Sequence, residues 1–186
     1  MTRLESILSE IKNAKRIYRD RAANEVLNNS EFTEELVQLV LDSTSKFHVK
    51  AAWTLELVFL AKPAIITPHL KTWCSKLDSI KNESALRPIA KICRGLVAKE
   101  RKNQPKFLLT TEQKEKIVEA SFNWLISDAK TATQVFAMDS LYSCSDEFSW
   151  IKENLKDILQ KDISSKSHGY VSHARKILQK MEKELI

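Results

Sequence analysis

Apolar positions recur every three or four residues along most of the chain, the spacing that lines one face of an α-helix. One segment carries Leu36, Val37, Leu39 and Val40, and the next carries Val49, Ala52, Trp53, Leu55, Val58 and Phe59. No stretch alternates with period two for long enough to make a strand. Cap signals then divide the chain into about ten helices. Thr2-x-x-Glu5 and Thr110-x-x-Gln113 read as capping boxes, with helices running from them to about Asn13 and Ser127. A second helix is expected near Ala14 to Asn28. Ser30 is expected to cap a third, Glu31 to Asp42, and a fourth spans about Lys46 to Lys62 until Pro63 stops it. Thr67-Pro68 predicts the start of a fifth, to about Ile80, and Asn82 that of a sixth, about Glu83 to Lys102, kinked or started late by Pro88. Asn103 to Leu109 is the longest linker. The last three helices are expected near Lys130 to Ser143, Glu147 to Lys161 and Ser167 to Leu185.

Short connections make neighbouring helices fold back on one another as antiparallel hairpins. The second helices of the hairpins share an apolar-x-x-small-x-x-apolar rhythm: VKAAWTLEL from Val49, LRPIAKICRGL from Leu86, TQVFAMDSL from Thr133 and YVSHARKIL from Tyr170. Their alanines, Ala52, Ala90, Ala137 and Ala174, are 38, 47 and 37 residues apart. Units of about 40–47 residues are the period of HEAT and armadillo repeats. A small side chain there lets adjacent helices approach closely. An irregular bundle with hairpins of similar length would give the same helix count.

HVKAAWTLELV followed by KPAIITPHLKTW resembles a HEAT repeat in its basic residue, its alanine and its proline-containing turn, and SHARKIL resembles the end of another. The similarity covers about Lys46 to Met181. It implies an all-α fold, a right-handed α-α superhelix of about five antiparallel pairs. The expected organisation is one helical-repeat domain over 1–186, with the better repeat signals at 46–102 and 130–184.

Composition agrees: 186 residues hold two glycines and four prolines, too few for the turns, bulges and phosphate loops of sheet proteins. Cys74, Cys93 and Cys144 are odd in number and lack CxxC spacing, so they read as buried thiols of a reducing compartment. The first residues carry Glu5 and Glu10 and no apolar core, unlike a secretory signal. The apolar run from Trp53 to Ala64 is broken by Glu56 and Lys62, too short for a bilayer. The expectation is a cytoplasmic protein away from membranes.

The net charge of +6 becomes informative once the hairpins are drawn. Segments 14–28, 46–62, 83–102, 130–145 and 166–184 carry +2, +2, +4, 0 and +3, which places +11 on the second helices and leaves −5 elsewhere. In a HEAT solenoid the second helices line the concave surface, so the resemblance implies a basic groove. Its candidate residues are Arg16, Arg19, Lys50, Arg87, Lys91, Arg94 and Arg175, with Arg21 and Lys176 beside them. Such a groove would attract a polyanion through counterion release. Lysines and arginines on solvated helix faces would give the same count.

Signals for chemistry are few. Gly95 and Gly169 cannot form a phosphate loop or a nucleophile elbow. His168 and His173 lie about 500° apart around a helix and do not share a face for a metal, so His48, His69, His168 and His173 read as surface residues. Trp53 and Glu56, three apart, share a helix face. The pair could stack a base and orient a water, or form part of the core with Glu56 paired to a nearby cation. Trp73, Trp124 and Trp150 read as core or half-core, and Asp139 is a carboxylate without an assignable partner.

The sequence therefore points to a non-enzymatic repeat scaffold that holds a protein partner on its concave face, with no cofactor or metal. The alternative is a DNA-binding protein related to the alkylation-repair DNA glycosylases of the HEAT class, whose resemblance would give Trp53, Glu56 and the basic groove a role on nucleic acid. Oligomeric state is not encoded in any of these signals.

Overall fold

The computed structural model describes residues 1–98 and 107–184, Asp162 by its backbone alone. Among them are ten α-helices and no strand: α1 Arg3–Ser9, α2 Arg16–Asn28, α3 Phe32–Leu41, α4 His48–Ala61, α5 Leu70–Lys76, α6 Glu83–Val97, α7 Thr111–Ile126, α8 Thr131–Cys144, α9 Ser149–Asp162 and α10 His168–Lys183. The chain forms two compact units, Met1–Ile92 and Cys93–Ile186, with α6 beginning in the first and ending in the second.

Both expected capping boxes form: Thr2 and Thr110 accept from the backbone of Glu5 and Gln113, whose side chains accept in return. Asn82 opens α6, its side-chain oxygen accepting from the Ser84 amide at 2.9 Å. Two expected starts fail. Ser30 is not a cap, since α3 begins beyond Glu31 and has no side-chain cap hydrogen bond. Thr67-Pro68 lies inside a 3₁₀ segment, Pro63–His69, that runs from the end of α4 into the short α5. Proline at Pro63 and Pro68 removes two backbone donors within six residues, which favours a tight turn over a regular α-helix. The first helix stops at Ser9, short of Asn13. Residues 99–102 of the expected sixth helix, 103–106 of the linker and the end of the last helix lie outside the described residues.

In the first unit, α1, α3 and α5 pack in one row and α2 packs on α4 in another, with α3 on α4 closing the layers. The second unit repeats the plan: α7 packs on α8, α8 on α10, and α9 on both. The helices at the middle of the second-helix rows are buried nearly all round, as the absence of a polar stripe on α4 requires. Ala52, Ala90, Ala137 and Ala174 are all fully buried, where a larger side chain would push helices apart.

One device recurs near the start of both middle helices. The last carbonyls of a helix have no partner within it. In the first unit the His48 ring donates through Nδ1 to the Val40 carbonyl of α3 at 2.8 Å. In the second, the Gln134 amide donates to Leu125 and Ser127 carbonyls at the end of α7, at 3.1 and 3.0 Å. A buried polar side chain on the second helix thus seals the frayed end of the first.

Candidate binding surface

The predicted residues fall into two clusters, one in each unit, built on the same plan. On α4, Glu56 is buried, with 4% of its side-chain surface exposed. From α6, Lys91 Nζ donates to its Oε1 at 2.7 Å and Arg87 donates to its Oε2 at 3.3 Å. From α2, Arg19 approaches Oε2 at 3.7 Å, an ion pair too long to be a hydrogen bond. Glu56 is buried because α4 lies between neighbours, and a buried carboxylate is tolerated only when paired.

Trp53, one turn before it, is half-buried and its indole N–H donates to the Ser84 carbonyl at 2.9 Å. The partner follows from Pro88. A proline has no amide to give the carbonyl four residues earlier, so Ser84 O is left open inside α6. Trp53 fills that vacancy from the neighbouring helix, and α6 runs unbroken from Glu83 through Pro88. Trp53 and Glu56 both serve to hold α4 against α6.

Arg16, Arg21 and Lys50 lie apart from this cluster. Arg16 pairs with Asp20 at 2.6 Å, one turn along α2, and Arg21 with Glu10 at 3.2 Å. Lys50 donates to the Ser9 carbonyl at 3.2 Å, helping to close the end of α1.

In the second unit Asp139 of α8 takes Glu56's part. Arg94 reaches its Oδ2 at 3.3 Å while lying over the Phe136 ring at 5.2 Å. His173 of α10 donates through Nε2 to Oδ1 at 2.7 Å. Beside them is a cleft of about 510 Å³ lined by Arg94, Asp139, Tyr142, Lys180 and Glu184. Tyr142 donates to Glu184, and burial followed by that carboxylate pushes its phenol up to about 12. Arg175 does not join them. It is exposed and lies about 200° around α10 from His173, at 100° per residue.

Three expectations change. His48 is buried and His173 half-buried, so neither is a surface histidine, and both bond across helices. Trp73 and Trp124 are core, but Trp150 is 51% exposed, stacked on Phe122 with ring centres 5.6 Å apart, beside a groove of about 580 Å³ between α9 and α10. Asp139 has the partners that could not be assigned to it from sequence. One signal could have found them. Second helices pack side by side, so opposite charges about one repeat apart meet: Glu56 with Arg87 and Lys91, Asp139 with His173. Cys74, Cys93 and Cys144 are buried thiols, and burial pushes Cys74 up to about 12. Among the described residues no three metal-ligating side chains converge, and no helix is long and apolar enough to cross a membrane.

The chain resembles a designed armadillo repeat protein. The match covers 96% of this chain and 82% of that one, with a TM-score of 0.46 and 17% identity. No protein-family model matches the chain, and no curated protein matches it in sequence.

Proposed function

We propose that the chain is one helical-repeat domain acting as a non-enzymatic scaffold, with a macromolecular partner, a protein, held on the face made by its second helices. The observation that carries this reading is the engagement of Glu56. The carboxylate is buried under three cations and the tryptophan beside it donates its N–H to Ser84. A carboxylate and a tryptophan engaged in this way brace α4 against its neighbours, which is what a rigid binding face needs. The observed second helices α2, α4, α6, α8 and α10 carry +1, 0, +2, −1 and +3, a net +5 over their described lengths, which favours a partner with acidic groups.

The nucleic-acid alternative has the same charge in its favour. Against it, Arg16, Arg21 and Arg94 are each engaged with a carboxylate, which weakens each of them as a contact to a phosphate backbone.

The test is quantitative capture of partners by two charge-reversed proteins. Arg87→Glu with Arg94→Glu should lose the partners that wild type retains. Glu34→Lys with Glu112→Lys, on exposed positions of first helices, should keep them. The opposite pattern would reject the second-helix face.

A further inference from the structure

Building on the reading that the second helices form the binding face, we infer that Arg19, Arg87 and Lys91 make a receptor for a carboxylate side chain of an acidic peptide segment. Three cations share one carboxylate, so the cluster holds two positive charges in excess. Both oxygens of Glu56 are already taken, Oε1 by Lys91 and Oε2 by Arg87. Arg19 is left outside hydrogen-bond reach at 3.7 Å, and its Nε is buried with no acceptor among the described residues. A buried guanidinium N–H without an acceptor is costly, so Glu56 leaves Arg19 poorly compensated, and a carboxylate arriving over the partly exposed Arg87 and Lys91 would offset the excess charge. The way in is open on one side, since 41% of the Arg87 side chain is exposed while Glu56 lies beneath it at 4%.

The placement favours a peptide over a nucleic acid. A phosphate backbone is held by many cations strung along a track. On α2 and α4 the other candidate cations are taken up elsewhere: Arg16 and Arg21 are paired with Asp20 and Glu10, and Lys50 is turned onto the Ser9 carbonyl. A planar guanidinium pair suits the two oxygens of one carboxylate. Among the described residues the second unit shows no such excess at Asp139, which Arg94 and His173 share.

The experiment is fluorescence anisotropy with a labelled Glu-rich peptide, a Gly-Ser peptide as neutral control and a labelled DNA duplex, at about 0.15 M salt. Wild type should bind the acidic peptide, and Arg87→Ala should weaken it about tenfold, as loss of one cation from a charge pair does. Glu56→Gln removes the competing anion and should tighten binding severalfold, a gain that mere structural damage would not produce. Circular dichroism confirms that each protein is folded, and Lys91→Ala replaces Glu56→Gln if that one is not, with an expected loss. Acidic and neutral peptides binding alike, or binding indifferent to Arg87→Ala, would overturn the receptor. Duplex binding that depends on Arg87 without peptide binding would overturn its occupant. A blank peptide titration with partner capture still lost in Arg94→Glu removes the receptor but leaves the scaffold, whereas capture indifferent to both Arg87→Glu and Arg94→Glu removes the scaffold reading itself.

Discussion

In the first unit a carboxylate on α4 lies under three cations and keeps 4% of its side-chain surface; in the second, a carboxylate on α8 meets one arginine and one histidine and keeps 24%. Both sit on the middle helix of a row and both draw partners from the helices on either side. The difference lies in burial and balance. A deeply buried anion must be neutralised wherever it sits, and the cations that neutralise it are fixed in place. One with about a quarter of its surface open is partly solvated, so two partners and water together satisfy it. The first cluster therefore combines rigidity with excess charge, and the second is close to self-contained.

The largest expected effect separates these two carboxylates. Glu56→Gln should cost about 3 kcal/mol in urea unfolding, the low end for one partner removed from a buried pair, because Arg87 and Lys91 are already partly solvated where they stand. Asp139→Asn should cost about 1 kcal/mol or less, as for an exposed pair. Equal losses would mean that burial does not distinguish the clusters.

A smaller effect probes the seam of the first unit between Trp53 and the carbonyl opened by Pro88. Trp53→Phe should cost about 1–2 kcal/mol by leaving Ser84 O without its donor. Pro88→Ala in that background should recover part of it, since the new amide reaches the same carbonyl. Additive losses in the cycle would show that the two are not linked.

Alkaline pH loads one group in each unit. Cys74 and Tyr142 both hold their protons to about 12 in the folded chain, against ordinary values of 9.0 and 10.0. The unfolded chain releases them first, so their contribution is complete below about pH 9 and is lost as pH rises toward 12. Urea midpoints should stay level to about pH 9 and then fall, with Tyr142→Phe making the fall shallower. A midpoint that rises above pH 9 would contradict the sign.

The smallest effect concerns tryptophan exposure. Trp150→Ala should change stability by about 0.5 kcal/mol, as a surface substitution does, and should remove most of the fluorescence that iodide quenches. Quenching that persists would mean that Trp53, Trp73 or Trp124 is more open than described.

Much of the fold was legible because local signals and tertiary structure agree. Thr2 with Glu5 and Thr110 with Gln113 cap helices without help from elsewhere, and the four alanines mark where helices touch. The expected starts at Ser30 and Thr67 failed because a cap residue acts only if the chain around it turns at that point, and Pro63 decides the turn near Thr67. The clusters were half legible. The resemblance to a HEAT solenoid put Arg87 and Lys91 among the candidates and helix spacing added Glu56, but neither said which cations were engaged with that carboxylate, since that depends on residues 31 to 37 apart in sequence coming side by side. His48, His173 and Trp150 were misread for the same reason: burial on these helices is set by the neighbouring helix rather than by the residue's own pattern.

Binding of labelled duplex and single-stranded DNA across a salt series tests the central claim, that the cations of the second helices are bound up in holding helices together and a protein partner takes the rest. The account predicts binding near 0.15 M salt no tighter than that of an arbitrary basic protein, with little change in Arg87→Ala and Arg94→Ala. Tight binding with a steep salt slope that flattens in those two variants would contradict it and make the second helices a nucleic-acid surface.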